Sequence, residues 1–431
     1  MKKKIAMLLA VAMIVPTLVA CSSGGSSETP ELGETPSGEE EVVIDFFHRW
    51  PNEPRKSFYD EKAQEFMDAN PNVKINIDAV LNDSYKEKIR VLISNDNLPD
   101  IFTSWSDSFA ENLVSSDRIR PLDDILEEDQ AWKESIIESQ FSGFTFDDTV
   151  YGIPFTIDGK AFFYNKAVFE ENNLEVPETY SEFVDVLDKL QAAGWEAPLV
   201  EGLTNGWAIS HYMGTIFQRI LDPAVTEVDY NEETGEFTDP GYIKGLEIFK
   251  ELTEYMGETA TAIDHETARN MFMAGEVPIV YMQFAEVKMV EDGSDMEFGF
   301  FNFPEIEGGK GDKDALTGAP EGWMLSENAP AEAVEFLKFL TSQETAYEFT
   351  KVDGQLNAIK GGVDEANTSV ARMEAYEVVN SASKTAPWFD NAVNINIADI
   401  FMRGGQNLAI GDQTPEDIMK DVQAEAERLR Q

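Results

Sequence analysis

Cysteine is almost missing from this chain: Cys21 is the only one in 431 residues. No intrachain disulfide can form, and no thiolate metal cage or redox pair can be built. Histidine is nearly as scarce. His48, His211 and His265 are the whole complement, and no two sit at helical ligand spacing, so no imidazole metal centre is expected. A glycine-rich phosphate loop and a nucleophile elbow are also lacking. No cofactor is expected. Positive charge is short too: 33 Lys and Arg stand against 81 Asp and Glu, a net charge of −48. Such a surface repels phosphate backbones and anionic headgroups, which excludes nucleic acid and a polybasic membrane patch as partners. Past residue 20 no apolar run reaches membrane-spanning length.

The start of the chain is rich where the rest is poor. Lys2, Lys3 and Lys4 precede an apolar run from Ile5 to Ala20, then Leu18-Val19-Ala20-Cys21 gives way to small polar residues. This three-part form is that of an export signal. Its ending resembles a bacterial lipobox, in which the cysteine becomes the lipidated, palmitate-bearing N-terminus. A lone thiol in an exported chain calls for such an explanation. Without residues 1–20, 30 basic residues face 81 acidic ones, a charge of −51. Solubility at a crowded cell surface accounts for that acidity. Residues 21–41, dominated by Ser, Gly, Pro and Glu, form a self-repelling tether, at most about 70 Å long at roughly 3.3–3.6 Å per residue. The expected location is the outer face of the cell membrane, held by lipid alone. The long tether suits a Gram-positive bacterium.

From Val42 onward the composition is globular, with 28 Phe and 7 Trp in the chain. The remaining length exceeds one ordinary core, so two lobes are expected. Val42 to Phe47 reads as a buried strand. A helix over 55–69 follows, with Phe58, Ala63 and Phe66 on one face, then an alternating strand from Val73 to Ala79. A helix over 83–95 and the strand Leu98 to Phe102 complete a strand–helix–strand–helix–strand order. That order implies a mainly parallel sheet, with ligands beyond the C-terminal strand ends. New strands appear at 151–155 and 161–164. Thr179 to Ala193 reads as a capped helix, with Gly194 after it. Further helices are expected over 240–256, 266–274 and 330–340, and a strand over 277–282. The acidic pairs Asp147-Asp148 and Asp123-Asp124 read as loop and helix-start charges, not as catalytic pairs.

Several patches resemble bacterial extracellular solute-binding proteins of the carbohydrate-binding group that includes maltose-binding protein. They are Leu98-Pro99-Asp100-Ile101-Phe102 with Trp105 and Asp107, Pro121-Leu122-Asp123, Tyr151-Gly152-Ile153-Pro154, and Tyr164-Asn165-Lys166. Gly194-Trp195, Met271 to Glu276, Phe301-Asn302-Phe303-Pro304, Ala333 to Leu340 and Gly411 to Glu416 follow in the family's order. The resemblance runs from 42 to 427. It implies an α/β, two-lobed periplasmic-binding-protein fold of type II, each lobe a mainly parallel sheet with flanking helices, hinged between lobes. It also implies docking on the permease subunits of an ABC transporter, as a monomer and without enzyme activity. The expected first lobe is 42–153 plus 284–326, and the second 159–280 plus 330–431. Hinge crossings are expected near 153–160, 281–284 and 326–330.

Sugar rings offer apolar C–H faces that stack on aromatics and a rim of hydroxyls that needs paired donors and acceptors. Trp50 follows the first strand, and Trp105 and Asp107 follow the third, where ligand contacts belong. Glu201, Asn205 and Trp207 lie in a loop after the strand 198–200. Phe284 stands where the family carries tryptophan, and Trp323 and Trp388 where relatives carry cleft aromatics. Asp158 and Glu321 complete the expected ligand set. Arg49 is the only basic side chain expected nearby. Trp195 and Trp132 are assigned to packing or surface. The leading expectation is capture of a sugar or oligosaccharide by hinge closure. A cationic solute such as a polyamine, drawn to the −51 charge and to Asp107, Glu201 and Asp158, is the alternative. A surface glycan hydrolase is the second alternative, although no carboxylate pair marks it.

Overall fold

The computed structural model describes residues 41–95 and 97–431; the expected leader, Cys21 and all but the last tether residue lie outside them. In chain order the strands are β1 (Val42–His48), β2 (Val73–Ala79), β3 (Ile101–Trp105), β4 (Thr145–Phe146), β5 (Thr149–Val150) and β6 (Gly152–Thr156). There follow β7 (Lys160–Asn165), β8 (Leu199–Val200), β9 (Ile279–Gln283), β10 (Phe298–Phe301), β11 (Leu316–Thr317), β12 (Glu321–Leu325) and β13 (Thr385–Ala386). Two sheets organise the molecule, one in the order β2-β1-β3-β12-β6 and one in the order β10-β7-β9-β8. In the first, β1 runs parallel to β2 and β3, and only β12 opposes its neighbours. In the second, β8 is parallel to β9 and only β7 runs against the rest. Each lobe's contrary strand is thus the one the chain enters on arrival from the other lobe. The fold is α/β and two-lobed.

Local chemistry explains the elements. The helix Arg55–Ala69 buries Phe58, Ala63 and Phe66 against the first sheet, and Phe46 meets Tyr59 edge-on at 5.8 Å. The helix Tyr180–Ala192 begins at a capping box between Thr179 and Glu182, which satisfies two otherwise orphaned amides. Its Phe183 meets Phe162 of β7 at 4.6 Å. Each such fully buried ring contributes about 1.5–3 kcal/mol through burial. Asp147 and Asp148 form the two-residue turn between β4 and β5, both at positive φ, as a primed hairpin turn requires.

Sheet membership corrects the expected lobe boundaries. The stretch 284–326 was expected whole in the first lobe, but β10 pairs with β7 in the second sheet. The helix Val287–Gly293 packs against His265–Met273 and Val370–Ser381, also in that lobe. The stretch 330–431 was expected whole in the second lobe. Its first helices, Ala331–Leu340 and Gln343–Asp353, instead cover the first sheet. Phe336 lies 5.5 Å from Phe46, and Phe349 lies 5.3 Å from Phe58. The reason is burial: these apolar faces close the first sheet's open side. The chain crosses at 157–159 between β6 and β7, and again at 318–320 between β11 and β12. It crosses last after 356–358, which hydrogen-bond to the β6 edge at Phe155 and Ile157. Among the described residues no helix is long and apolar enough to cross a membrane.

Candidate ligand-binding cleft

The first-lobe wall is built at the ends of β1 and β3. Burial pushes His48 down to about 4, so it is neutral, and its Nδ1 accepts the Trp50 amide at 3.2 Å. Half-buried Trp50 stacks on Tyr59 at 5.6 Å. The Arg49 and Arg55 guanidinium groups lie 4.9 and 4.7 Å from its ring centroid. Trp105 is flanked likewise by Arg49 and Lys86, each at 4.7 Å. Arg55, Trp50, Arg49, Trp105 and Lys86 therefore form an alternating cation–aromatic ladder. Arg49 pairs with Glu321 of β12, and Arg55 with Asp353.

Asp107 follows β3 at φ 58 and ψ −139, a conformation that favours glycine and costs about 1–3 kcal/mol in other residues. The Gly143 carbonyl accepts its amide at 2.8 Å. Ser106 Oγ donates to its Oδ2 at 2.5 Å. Burial raises the Asp107 carboxyl to about 6 despite that bond. Asp158 occupies the first crossing and accepts from Gly159 N at 2.8 Å, Ala285 N at 3.1 Å and Gln283 Nε2 at 3.0 Å. Burial outweighs these donors and pushes it up to about 7.

The second-lobe wall rests on buried charges. Glu201 ends the β8 segment fully buried, 3.4 Å from Lys160 Nζ and 2.6 Å from His265 Nδ1. Burial opposes its ionisation, but His265 and Lys160 prevail and hold it below the usual carboxylate range. Burial in turn pulls Lys160 down, against Glu201. Asn205 Oδ1 accepts the His265 amide at 2.8 Å and begins the helix Gly206–Ile220, which carries half-buried Trp207. Trp388 stacks on His211 at 4.3 Å. Burial and the neighbouring cations keep His211 well below its ordinary range.

The lobes meet where the helix Ser108–Val114 touches Phe389–Ala392. A groove of about 330 Å³ opens on one side, lined by Lys86, Ser108, Asn112 and Asp390. Another of about 400 Å³ opens on the other side, lined by Glu111, Gln218, Tyr230 and Phe389.

Of the expected ligand set, Trp50, Trp105, Asp107 and Glu321 lie at the strand ends of the first sheet, Asp158 at the crossing, and Asn205, Trp207 and Trp388 in the second lobe; Trp105 and Trp388 are buried there. Three residues need correction. Phe284 is 2% exposed and packs on Phe300 at 5.3 Å, inside the apolar core beside the second sheet. Trp323 is 1% exposed and meets Phe46 at 5.1 Å and Trp50 at 5.8 Å, backing the Trp50 ring from the core. Glu201 is wholly buried and serves His265 instead of reaching the cleft surface. Arg49 is also not alone, since Arg55, Lys86 and Lys160 share the site. Sequence reasoning missed them together with His211, His265, Glu286 and Asp390. One signal was present: Lys160 directly precedes the continuous apolar run of β7, where a lysine must be buried with a partner. Among the described residues no group of three or more His, Cys, Asp or Glu is disposed to hold a metal ion.

Two sheets joined by short crossings, with aromatic and charged groups at the strand ends between them, define a hinged, two-lobed binding protein. The family model for bacterial extracellular solute-binding proteins matches residues 50–347, and the chain belongs to that family. It is 26% identical to an uncharacterized ABC transporter extracellular-binding protein of Pyrococcus horikoshii, across 98% of this chain and 97% of that one. It is 24% identical to the multiple sugar-binding protein of Streptococcus mutans, across 85% of each. A solved chitin oligosaccharide binding protein superposes with a TM-score of 0.81 at 23% identity, covering 90% of this chain and 99% of that one. The solute-binding protein RafE, in complex with raffinose, does so at 0.70 and 18% identity, over 90% and 100%. These two likenesses show the shared fold.

Proposed function

We propose that this protein captures a sugar or oligosaccharide outside the cell and passes it to the permease of an ABC transporter, closing over the ligand by its hinge and catalysing nothing. The observation that carries this reading is the composition of the two walls. Half-buried Trp50 and Trp207 stand in opposite lobes, and Asp107, Asp158 and Glu321 supply hydroxyl acceptors between them. Aromatic faces with a few placed polar groups suit a sugar ring. The sugars named for the Streptococcus mutans relative and for the chitin-oligosaccharide and raffinose binders point the same way.

A polyamine ligand is not favoured. Arg49, Arg55 and Lys86 already lie against the Trp50 and Trp105 rings, so a cation entering there meets like charge. A hydrolase needs two carboxyl groups flanking the bond, roughly 5–9.5 Å apart. Here Asp158 is held by three N–H donors and Glu321 by Arg49, which suits binding better than proton transfer.

In the same reading the mature protein is a monomer on the outer face of a Gram-positive cell membrane, anchored by lipid on Cys21. The test is thermal shift and calorimetry of the protein with raffinose, galactose, xylobiose and chitobiose, with spermidine as control. A ligand at a hundredfold excess over Kd stabilises by about 2.7 kcal/mol. Stabilisation by spermidine alone, or by no saccharide, overturns the reading.

A further inference from the structure

Behind Trp207 lies a chain of charges that ligand capture by itself does not require. Lys160, Glu201, His265, Glu286 and Arg269 follow one another from β7, through the turn after β9, to the helix His265–Met273. His265 stands at their centre. Its Nδ1 is 2.6 Å from Glu201 Oε1, and its Nε2 is 2.9 Å from Glu286 Oε2 and 3.0 Å from Oε1. Its amide donates to Asn205, the residue that opens Trp207's own helix. The Trp207 ring rests edge-to-face on this imidazole at 4.7 Å, with Lys160 Nζ 5.2 Å from its centroid and His211 at 5.3 Å.

We propose that His265 is the positioning residue of the Trp207 platform, holding the indole in the cleft wall by bridging Glu201 and Glu286 as a doubly protonated imidazolium. The ligand role of Trp207 rests on the reading above; the placement of its ring does not. Both ring nitrogens face carboxylate oxygens, which only accept, so both nitrogens must carry hydrogen. A neutral ring has one N–H, and one carboxylate would then face a lone pair. The imidazole would turn away, and the edge under Trp207 would move with it.

The groups around His265 favour the charged form. Glu201 approaches from the loop after β8, Glu286 from the turn after β9, and Asp264 from the start of its own helix. Lys160 of β7, His211 of Trp207's helix and Arg269 of its own helix oppose it. Arg269 is itself bound to Glu286 at 2.8 Å. Asp158, beyond Glu286, adds negative charge when ionised. Burial lowers His265, but the two carboxylates outweigh it and raise it to about 9. Because this value is raised, the contact's contribution to stability is fully present below the ordinary histidine value near 6.5, and the contact itself persists in the folded protein until pH rises through about 9. Glu286, despite its burial, is held down at about 2 by His265 and Arg269, so it stays ionised throughout that range.

The test is fluorine resonance of the intact protein labelled with 5-fluorotryptophan. With 7 tryptophans in the chain, Trp207→Phe identifies the resonance by its disappearance. The expected result is a Trp207 signal that is constant from pH 6 to 8, then shifts and broadens with a midpoint near 9. In His265→Gln that titration is lost. A Trp207 signal indifferent to pH between 7 and 10, or one that titrates unchanged in His265→Gln, overturns the proposal. Should that variant not fold, Glu286→Gln removes one of the two carboxylates and must lower the midpoint; an unchanged midpoint counts against the proposal. Failure of every saccharide to bind would sink the capture reading and leave this titration as it was, so the two ideas fail separately.

Discussion

Lys86 of the first lobe reaches Asp390 of the second, Nζ to Oδ2 at 3.9 Å, while its ammonium lies 4.7 Å from the Trp105 centroid. The pair spans the cleft mouth, and its partner Asp390 also accepts from Ser210 Oγ at 3.0 Å. It therefore favours the arrangement in which the lobes meet. A long, partly exposed pair contributes about 0.2–1 kcal/mol. Lys86→Met is expected to weaken saccharide affinity by at most about fivefold and to blunt its salt dependence. Calorimetry at two ionic strengths checks this; an unchanged Kd and salt response would mean that the pair does not assist closure.

Trp207 and Trp323 separate binding from folding. Trp207→Ala should weaken saccharide affinity by about 30-fold, the loss of roughly 2 kcal/mol expected of an aromatic anchor, with a small change in Tm. Trp323→Ala should do the reverse, destabilising by about 3–5 kcal/mol through the cavity left among Phe46, Tyr59 and Phe155. Paired calorimetry and urea melts would expose an exchange of these roles.

Asp158 predicts a pH slope. Its carboxyl is raised to about 7 in the fold, so between the ordinary aspartate value near 4 and pH 7 the folded state binds more protons than the unfolded one. Stability contributed by this group therefore falls as pH rises through that window. Asp158→Asn should flatten the fall, read as the difference between the two stability–pH curves from pH 4 to 8. Parallel curves would show that the carboxyl does not titrate there.

The two adjacent crossings touch at glycine. A Cβ on Gly318 would lie 2.2 Å from the Asp158 carbonyl oxygen, and backbone there has little room to yield. Gly318→Ala is expected to destabilise by about 1–3 kcal/mol through overpacking and to open the lobes in small-angle scattering. Wild-type stability and scattering in this variant would refute the close approach.

Cys21→Ser should release the mature protein from the membrane fraction and abolish labelling with palmitate. Retention and labelling in the variant would place the anchor elsewhere.

Much of the architecture was legible from residues alone because its signals are local. The periodicity of Phe58, Ala63 and Phe66, the Thr179 capping box and the run at β1 each act within a few residues. The switch-point rule placed Trp50, Trp105 and Asp107 at strand ends for the same reason. Phe284 and Trp323 were expected in the cleft from their places in the family pattern, and a place in that pattern does not say which distant element covers the side chain. Helices at 55–69 and 331–340 bury Trp323, and the strand at 298–301 walls in Phe284. The lobe boundaries shifted likewise, since pairing of β10 with β7 joins residues more than 130 positions apart.

By itself, then, the sequence determined the α/β alternation, the family and the strand-end aromatics, all carried by short-range propensity and pattern. Only the tertiary structure decided which tryptophans are buried in the core, as Trp323 is, and which stay half-exposed at the strand and loop ends, as Trp50 and Trp207 do. Only it made His265 the centre of a charged chain with Glu201, 64 residues away, and Glu286, 21 residues away. Electrostatic pairing in a buried site depends on distance through space, and no spacing along the chain encodes that distance.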